Sequence, residues 1–199
     1  AARAFTGWGI EPDTGKFRWR PFAHDNGSKT VLGVSGNLDG DAVLDILLAQ
    51  PQTAEFLVRK LWREFVSLTP DEGETRRIAR RFRDSGYDMR VALRELFGSR
   101  GFWAAENRLA LVKSPVDWVL GTLNSLEVEA PEPQHLAVAL RQLGQDLFAP
   151  PNVKGWPGGE TWINSSTLLQ RKQLAERLLR REGRMGLREV LLDPAYQLK

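Results

Sequence analysis

Two histidines and no cysteine limit the chemistry open to this chain of 199 residues. Without cysteine there is no disulfide, no thiolate metal site and no cysteine nucleophile. His24 stands beside Asp25, with Lys29 a few residues on. A histidine next to a carboxylate can work as an acid–base pair or supply two metal ligands. Lys29 or Lys113 would then be the basic partner of a hydrolase-like site. Turn chemistry gives a second account, in which Asp25-Asn26 make a turn and His24 borders it. His135 follows a proline-bearing connector and reads as a surface residue, so no multi-histidine metal centre is expected.

Four further groups have suggestive types and spacing. Asn37, Asp39 and Asp41, followed by Asp45, place oxygen ligands at alternate positions, as calcium loops do. They lack the spacing of an EF-hand, and a helix cap at Asp39 explains them more simply. No metal or cofactor is expected, with Asp39 and Asp41 the calcium candidates. Arg59 and Lys60 lie opposite an apolar stripe, and Lys113 precedes a capped helix. These cations could meet on a carboxylate, sulfate or phosphate, although Lys113 and Asp117 at helical spacing can also simply pair. Between Leu147 and Asn164 the chain packs three prolines, three glycines and two tryptophans. Trp156 and Trp162 could stack on a sugar ring with Asn164 as hydrogen-bonding partner, or could plug the core beneath the loop. Arg76, Arg77, Arg80, Arg81 and Arg83 form a basic run, but Glu72, Glu74 and Asp84 interleave with it. A solvated helix face is expected there, not a nucleic-acid surface.

The elements that must position these residues are mostly helical. Phe17–Arg20 and Lys29–Leu32 read as arms of one hairpin across Asn26-Gly27. Helices are expected over Gly40–Ala49, stopped by Pro51, and over 53–65 with Thr53 as cap. Others are expected over 74–85, from Asp88 to Gly98, from Ser114-Pro115 onward, over 134–143, over Ser165–Arg181 and over 187–192. The tryptophan-bearing loop cannot be helix or ordinary strand, because its prolines lack donors and its glycines admit unusual backbone angles. The fold class is therefore mainly α, a multi-helix globular domain with one small β-hairpin near the N-terminus. Length favours a single domain over residues 1–199. A net charge of +3 is too small to imply nucleic acid by itself. No apolar run approaches the roughly 18 residues of a membrane span. There is no glycine-rich phosphate loop, no Gly-x-Ser-x-Gly elbow and no His-Glu-x-x-His.

Several segments together resemble one family. They are His24-Asp25-Asn26-Gly27-Ser28-Lys29, Phe56 to Trp62, Phe82 to Asp88, Val112 to Asp117, and the tryptophan loop running into Asn164-Ser165-Ser166-Thr167-Leu168. In order and over essentially the whole chain they are similar to the C-terminal half of the bacterial domain of unknown function 1800 family. Helical modules of large secreted planctomycete proteins are more loosely similar. The resemblance implies a helical, often exported protein, periplasmic or secreted, and a longer parent whose N-terminal helical half is not in this sequence. It also implies a frequent genomic neighbour, the sulfatase-like domain of unknown function 1501 family, as a partner. No activity follows from it. The expected function is an exported, non-catalytic bacterial module that binds a partner protein or carbohydrate through Arg59, Lys60, Trp156, Trp162 and Asn164. The alternative is the hydrolase-like enzyme around His24 and Asp25.

Overall fold

The computed structural model describes all of residues 1–199. It is mainly helical, with nine α-helices and four short strands arranged as two antiparallel pairs. The chain divides into two compact units. The first comprises Ala1–Leu61 and Asp71–Gly98; the second comprises Trp62–Pro70 and Ser99–Lys199.

In the first unit a 3-10 turn over Ala2–Phe5 leads into β1 (Trp8–Ile10), which pairs with β2 (Phe17–Trp19). Next, β3 (Lys29–Val31) pairs with β4 (Val34–Gly36). The expected helical class with an N-terminal hairpin is present, but the arms are matched differently. Phe17–Trp19 and Lys29–Val31 each take a nearer partner, and Asn26-Gly27 closes no hairpin. The reason is local. Pro21 starts a 3-10 turn that ends the first arm, and the Asp25 carboxylate captures the Gly27 amide at 2.8 Å. Leu32 and Gly33 both have positive φ, 47° and 86°, which is what a two-residue type I′ hairpin turn requires.

Helix α1 (Gly40–Ala49) is capped by Asp39, whose side chain accepts the Ala42 amide at 2.8 Å. Pro51 does not merely follow this helix; it opens α2 (Pro51–Phe65), since its fixed φ and missing donor suit the first helical turn. Thr53 is therefore no cap, and its hydroxyl donates to the Leu47 carbonyl at 2.6 Å. Helix α3 (Glu72–Asp84) is capped by Asp71 and α4 (Met89–Phe97) by Asp88. On α3, Thr75, Ile78, Ala79 and Phe82 are buried, the one-face spacing of an amphipathic helix. Ala4, Val31, Leu38 and Val43 form a separate small core.

The second unit carries α5 (Arg100–Trp103), α6 (Pro115–Ser125), α7 (Pro133–Gln142), α8 (Ser165–Arg181) and α9 (Arg188–Leu192). Ser114 and Asp117 make a reciprocal capping box on α6, and Asn164 with Thr167 makes another on α8. Trp118, Val119, Leu123, Leu140, Leu179 and Leu191 belong to one core. The chain end returns to Leu111–Lys113, where Val112 bridges Leu198 and Lys199 exchanges both backbone hydrogen bonds with Leu111. No helix is long and apolar enough to cross a membrane.

Candidate binding site

In the first unit, His24, Asp25 and Lys29 share a neighbourhood, and each is engaged by the fold. Asp25 accepts from Arg3 Nε at 2.6 Å and Nη2 at 3.1 Å. The Arg3 guanidinium, helped by the Gly27 amide, holds its carboxyl well below the usual carboxylate range. His24 Nδ1 lies 2.9 Å from the Thr6 carbonyl. A carbonyl only accepts, so Nδ1 carries the proton in this hydrogen bond. The ring also rests against Trp19, with centroids 5.0 Å apart. Lys29 is buried and donates to Asn37 Oδ1 at 3.2 Å. Asp39 serves as the α1 cap and Asp41 lies in that helix's first turn. Nowhere do three or more His, Asp or Glu side chains gather in a metal-holding group.

Arg59 bonds Glu72 at 2.7 and 3.3 Å and Glu55 at 3.2 Å. The Glu72 hydrogen bond raises its already high pKa, so its charge is matched within its own unit. Lys60 sits over the Phe56 ring, 4.7 Å from its centroid. The arginines of α3 behave as a solvated face should: Arg77 pairs with Glu74 at 3.1 Å and with Glu95, and Arg81 reaches Glu95 at 3.6 Å.

Lys113 belongs to the second unit. Its ammonium donates to the Tyr196 carbonyl at 2.8 Å and lies 4.0 Å from the Tyr196 ring centroid. Burial and the neighbouring Arg171 charge push its pKa down. Asp117, four residues on, takes its direct hydrogen bonds from Ser114 and from Lys199 Nζ, the latter at 2.7 Å. Burial pushes the Asp117 carboxyl up, but those hydrogen bonds more than offset it and the net shift is downward.

The three loop residues do come together. Trp156, Trp162 and Asn164 line one depression of about 300 Å³. Trp162 is 7% exposed and belongs to the packed base, while Trp156 is half-buried and keeps part of its indole open. Gly155, Gly158 and Gly159 all have positive φ, the backbone freedom that lets the loop fold beneath its own tryptophans. A 3-10 turn over Gly159–Trp162 then delivers Asn164 to the start of α8. Asn164 Oδ1 is held by the Thr167 amide at 2.9 Å. Arg141, at the end of α7, lines the same depression and donates to Asp146 at 3.0 Å, with both side chains partly open to solvent. The sequence reading missed this ion pair. Its only signal is the spacing of two opposite charges around a helix end and Gly144.

A depression near the lower end of ordinary ligand-pocket volumes, with an aromatic base and an exposed planar ion pair, can hold one small ring by stacking and by hydrogen bonds to its hydroxyls. Among protein families, one described as "Protein of unknown function (DUF1800)" matches residues 1–198. No curated protein and no solved structure matches the chain.

Proposed function

Given that the chain belongs to the DUF1800 family, whose description assigns no function, we propose that it is a non-catalytic binding module that takes a saccharide at the tryptophan loop. The observation that carries this reading is the convergence of Trp156, Trp162 and Asn164 with the Arg141–Asp146 pair on one depression of about 300 Å³. A sugar ring has an apolar C–H face and a polar hydroxyl edge. The open part of Trp156 suits the face, since aromatic surface is favourable to cover with apolar matter. The forked guanidinium and carboxylate of Arg141 and Asp146 suit the edge, because neighbouring hydroxyls can donate to one and accept from the other. An exported setting and a sulfatase-like partner, both implied by the family resemblance, make sulfated polysaccharides natural probes alongside neutral ones.

The test is electrophoresis of the protein through gels containing neutral or sulfated polysaccharides. Retardation by at least one polysaccharide is expected, reduced tenfold or more by Trp156→Ala and unchanged by Trp103→Ala, a tryptophan that is 76% exposed elsewhere. No retardation on any gel, or equal retardation of the Trp156→Ala protein, sinks the proposal.

A further inference from the structure

A second cavity in the second unit shares no lining residue with the tryptophan depression. It is larger, about 630 Å³, and its wall is mostly apolar, built from Ile163, Leu168, Leu192 and Leu198 among others. Its volume falls in the middle of the range for small-molecule sites. One lining residue does not belong in such a wall. Arg171, on α8, is only 2% exposed. Its Nη1 donates to Gln197 Oε1 at 3.0 Å and its Nη2 to the Lys113 carbonyl at 2.8 Å. Both acceptors are neutral, and its Nε has no partner. The carboxylate whose field reaches it, Asp117, is already engaged by Lys199 and Ser114. Burial pushes the Arg171 pKa down to about 10, which leaves it a cation at neutral pH.

A buried charge without a directly bonded counter-ion is costly, and arginine is almost never fully buried unless paired. The neighbouring Lys113 adds a second cation that also rests on a neutral carbonyl. Lys172 brings positive charge to the lining and Glu160 one negative charge, both on exposed residues. The buried part of the site is thus positive and its wall is apolar.

We infer that this cavity binds a free medium-chain monocarboxylate, with the aliphatic tail against Ile163, Leu168, Leu192 and Leu198 and the carboxylate at Arg171. A guanidinium N–H makes a strong, charge-assisted hydrogen bond to a carboxylate. Gln197 Oε1 now occupies the acceptor position such a group would take. The amide is held on its other side by the Leu191 and Asp193 carbonyls at 3.2 and 3.4 Å. A ligand oxygen replaces it at Nη1, while Nη2 keeps the Lys113 carbonyl. A peptide is disfavoured as occupant, because its backbone amides and carbonyls would lack partners along the apolar wall.

The experiment is isothermal titration of the whole chain with octanoate and, separately, with octan-1-ol. Both carry the same tail, and only octanoate is charged at neutral pH. Saturable one-to-one octanoate binding is expected, with octan-1-ol at least tenfold weaker. Ile163→Trp, which fills the cavity, should abolish octanoate binding while circular dichroism shows a folded chain. Lys172→Glu, at an exposed side chain, should weaken octanoate severalfold and leave octan-1-ol unchanged. Trp156→Ala should leave octanoate binding intact, which separates this site from the saccharide depression. Equal affinity for the acid and the alcohol, no octanoate binding at millimolar concentration, or full octanoate binding by folded Ile163→Trp overturns the inference.

Discussion

Gly101→Ala should destabilise the second unit through a single steric conflict. A methyl group at residue 101 would sit 2.2 Å from Trp62 Cη2 and 2.7 Å from Cζ2. Carbon atoms pack at roughly 3.5–4.0 Å, so the ring or the helix must retreat by more than an ångström. The ring has little freedom to do so. Trp62 is 1% exposed, and its Nε1 donates to Ser67 Oγ at 3.1 Å. The Ser67 hydroxyl is itself bound to the Thr69 carbonyl at 3.1 Å. Overpacking of this kind costs about 1–3 kcal/mol, and the rigid partner places Gly101→Ala at the upper end. The better helix preference of alanine returns up to about 1 kcal/mol, for a net loss of about 2 kcal/mol. In a chain of this size that lowers Tm by about 4–8 °C. Urea and thermal unfolding followed by far-ultraviolet circular dichroism measure it. The same substitution in a Trp62→Phe background should cost at least about 1 kcal/mol less, because the clashing atoms are gone and the two sites are coupled. A comparison is built into the first unit. Gly40→Ala would meet Trp8 Cζ2 at 2.3 Å, but Trp8 is 36% exposed and can move, so its loss should be smaller. A Gly101→Ala protein within 1 °C of the parent, or an equal cost in both backgrounds, would refute this account of the contact.

Three further outcomes follow from named contacts. Thr75 is fully buried and its hydroxyl has no partner, so Thr75→Val should raise stability by about 1 kcal/mol; a loss in urea unfolding would show that the hydroxyl is satisfied. Asn164→Ala removes the α8 cap and should cost about 1 kcal/mol, whereas Asn164→Asp, another good capping residue, should cost much less; equal losses would mean the cap is not what Asn164 contributes. The Asp117–Lys199 pair makes stability depend on pH at both ends. The folded Asp117 carboxyl lies below its usual range, so its contribution is present above the unfolded value near ~3.9 and is lost as pH falls through the folded one. The Lys199 ammonium is pushed down by burial, but hydrogen bonds to Asp117 and Glu64 raise it on balance. Its contribution is therefore full below about 10.4 and is lost as pH rises through the folded value. Asp117→Asn should flatten both edges of the stability profile; profiles parallel to the parent's would remove the pair from the account.

What the sequence determined by itself is local. Gly40–Ala49 and Ser165–Arg181 have the bounds that periodicity and flanking residues indicate, because a cap such as Asp39 or Asp88 acts on amides only a few positions away. The tryptophan loop was legible for the same reason, since proline and glycine restrict or free their own backbone. Tertiary structure decided the pairings across larger separations. Phe17–Trp19 has β character on its own, but three residues carry too little pattern to select Trp8–Ile10 over Lys29–Val31. Lys113 and Asp117 have the spacing of an ion pair, yet Lys199, brought back by the chain end, takes the carboxylate. Arg171 reads as one more cation of an amphipathic helix. Gln197 and Lys113, 26 and 58 residues away in sequence, turn it into a buried one. Helical periodicity says which residues share a face. Burial depends on what packs over that face, and here the covering segments come from distant parts of the chain.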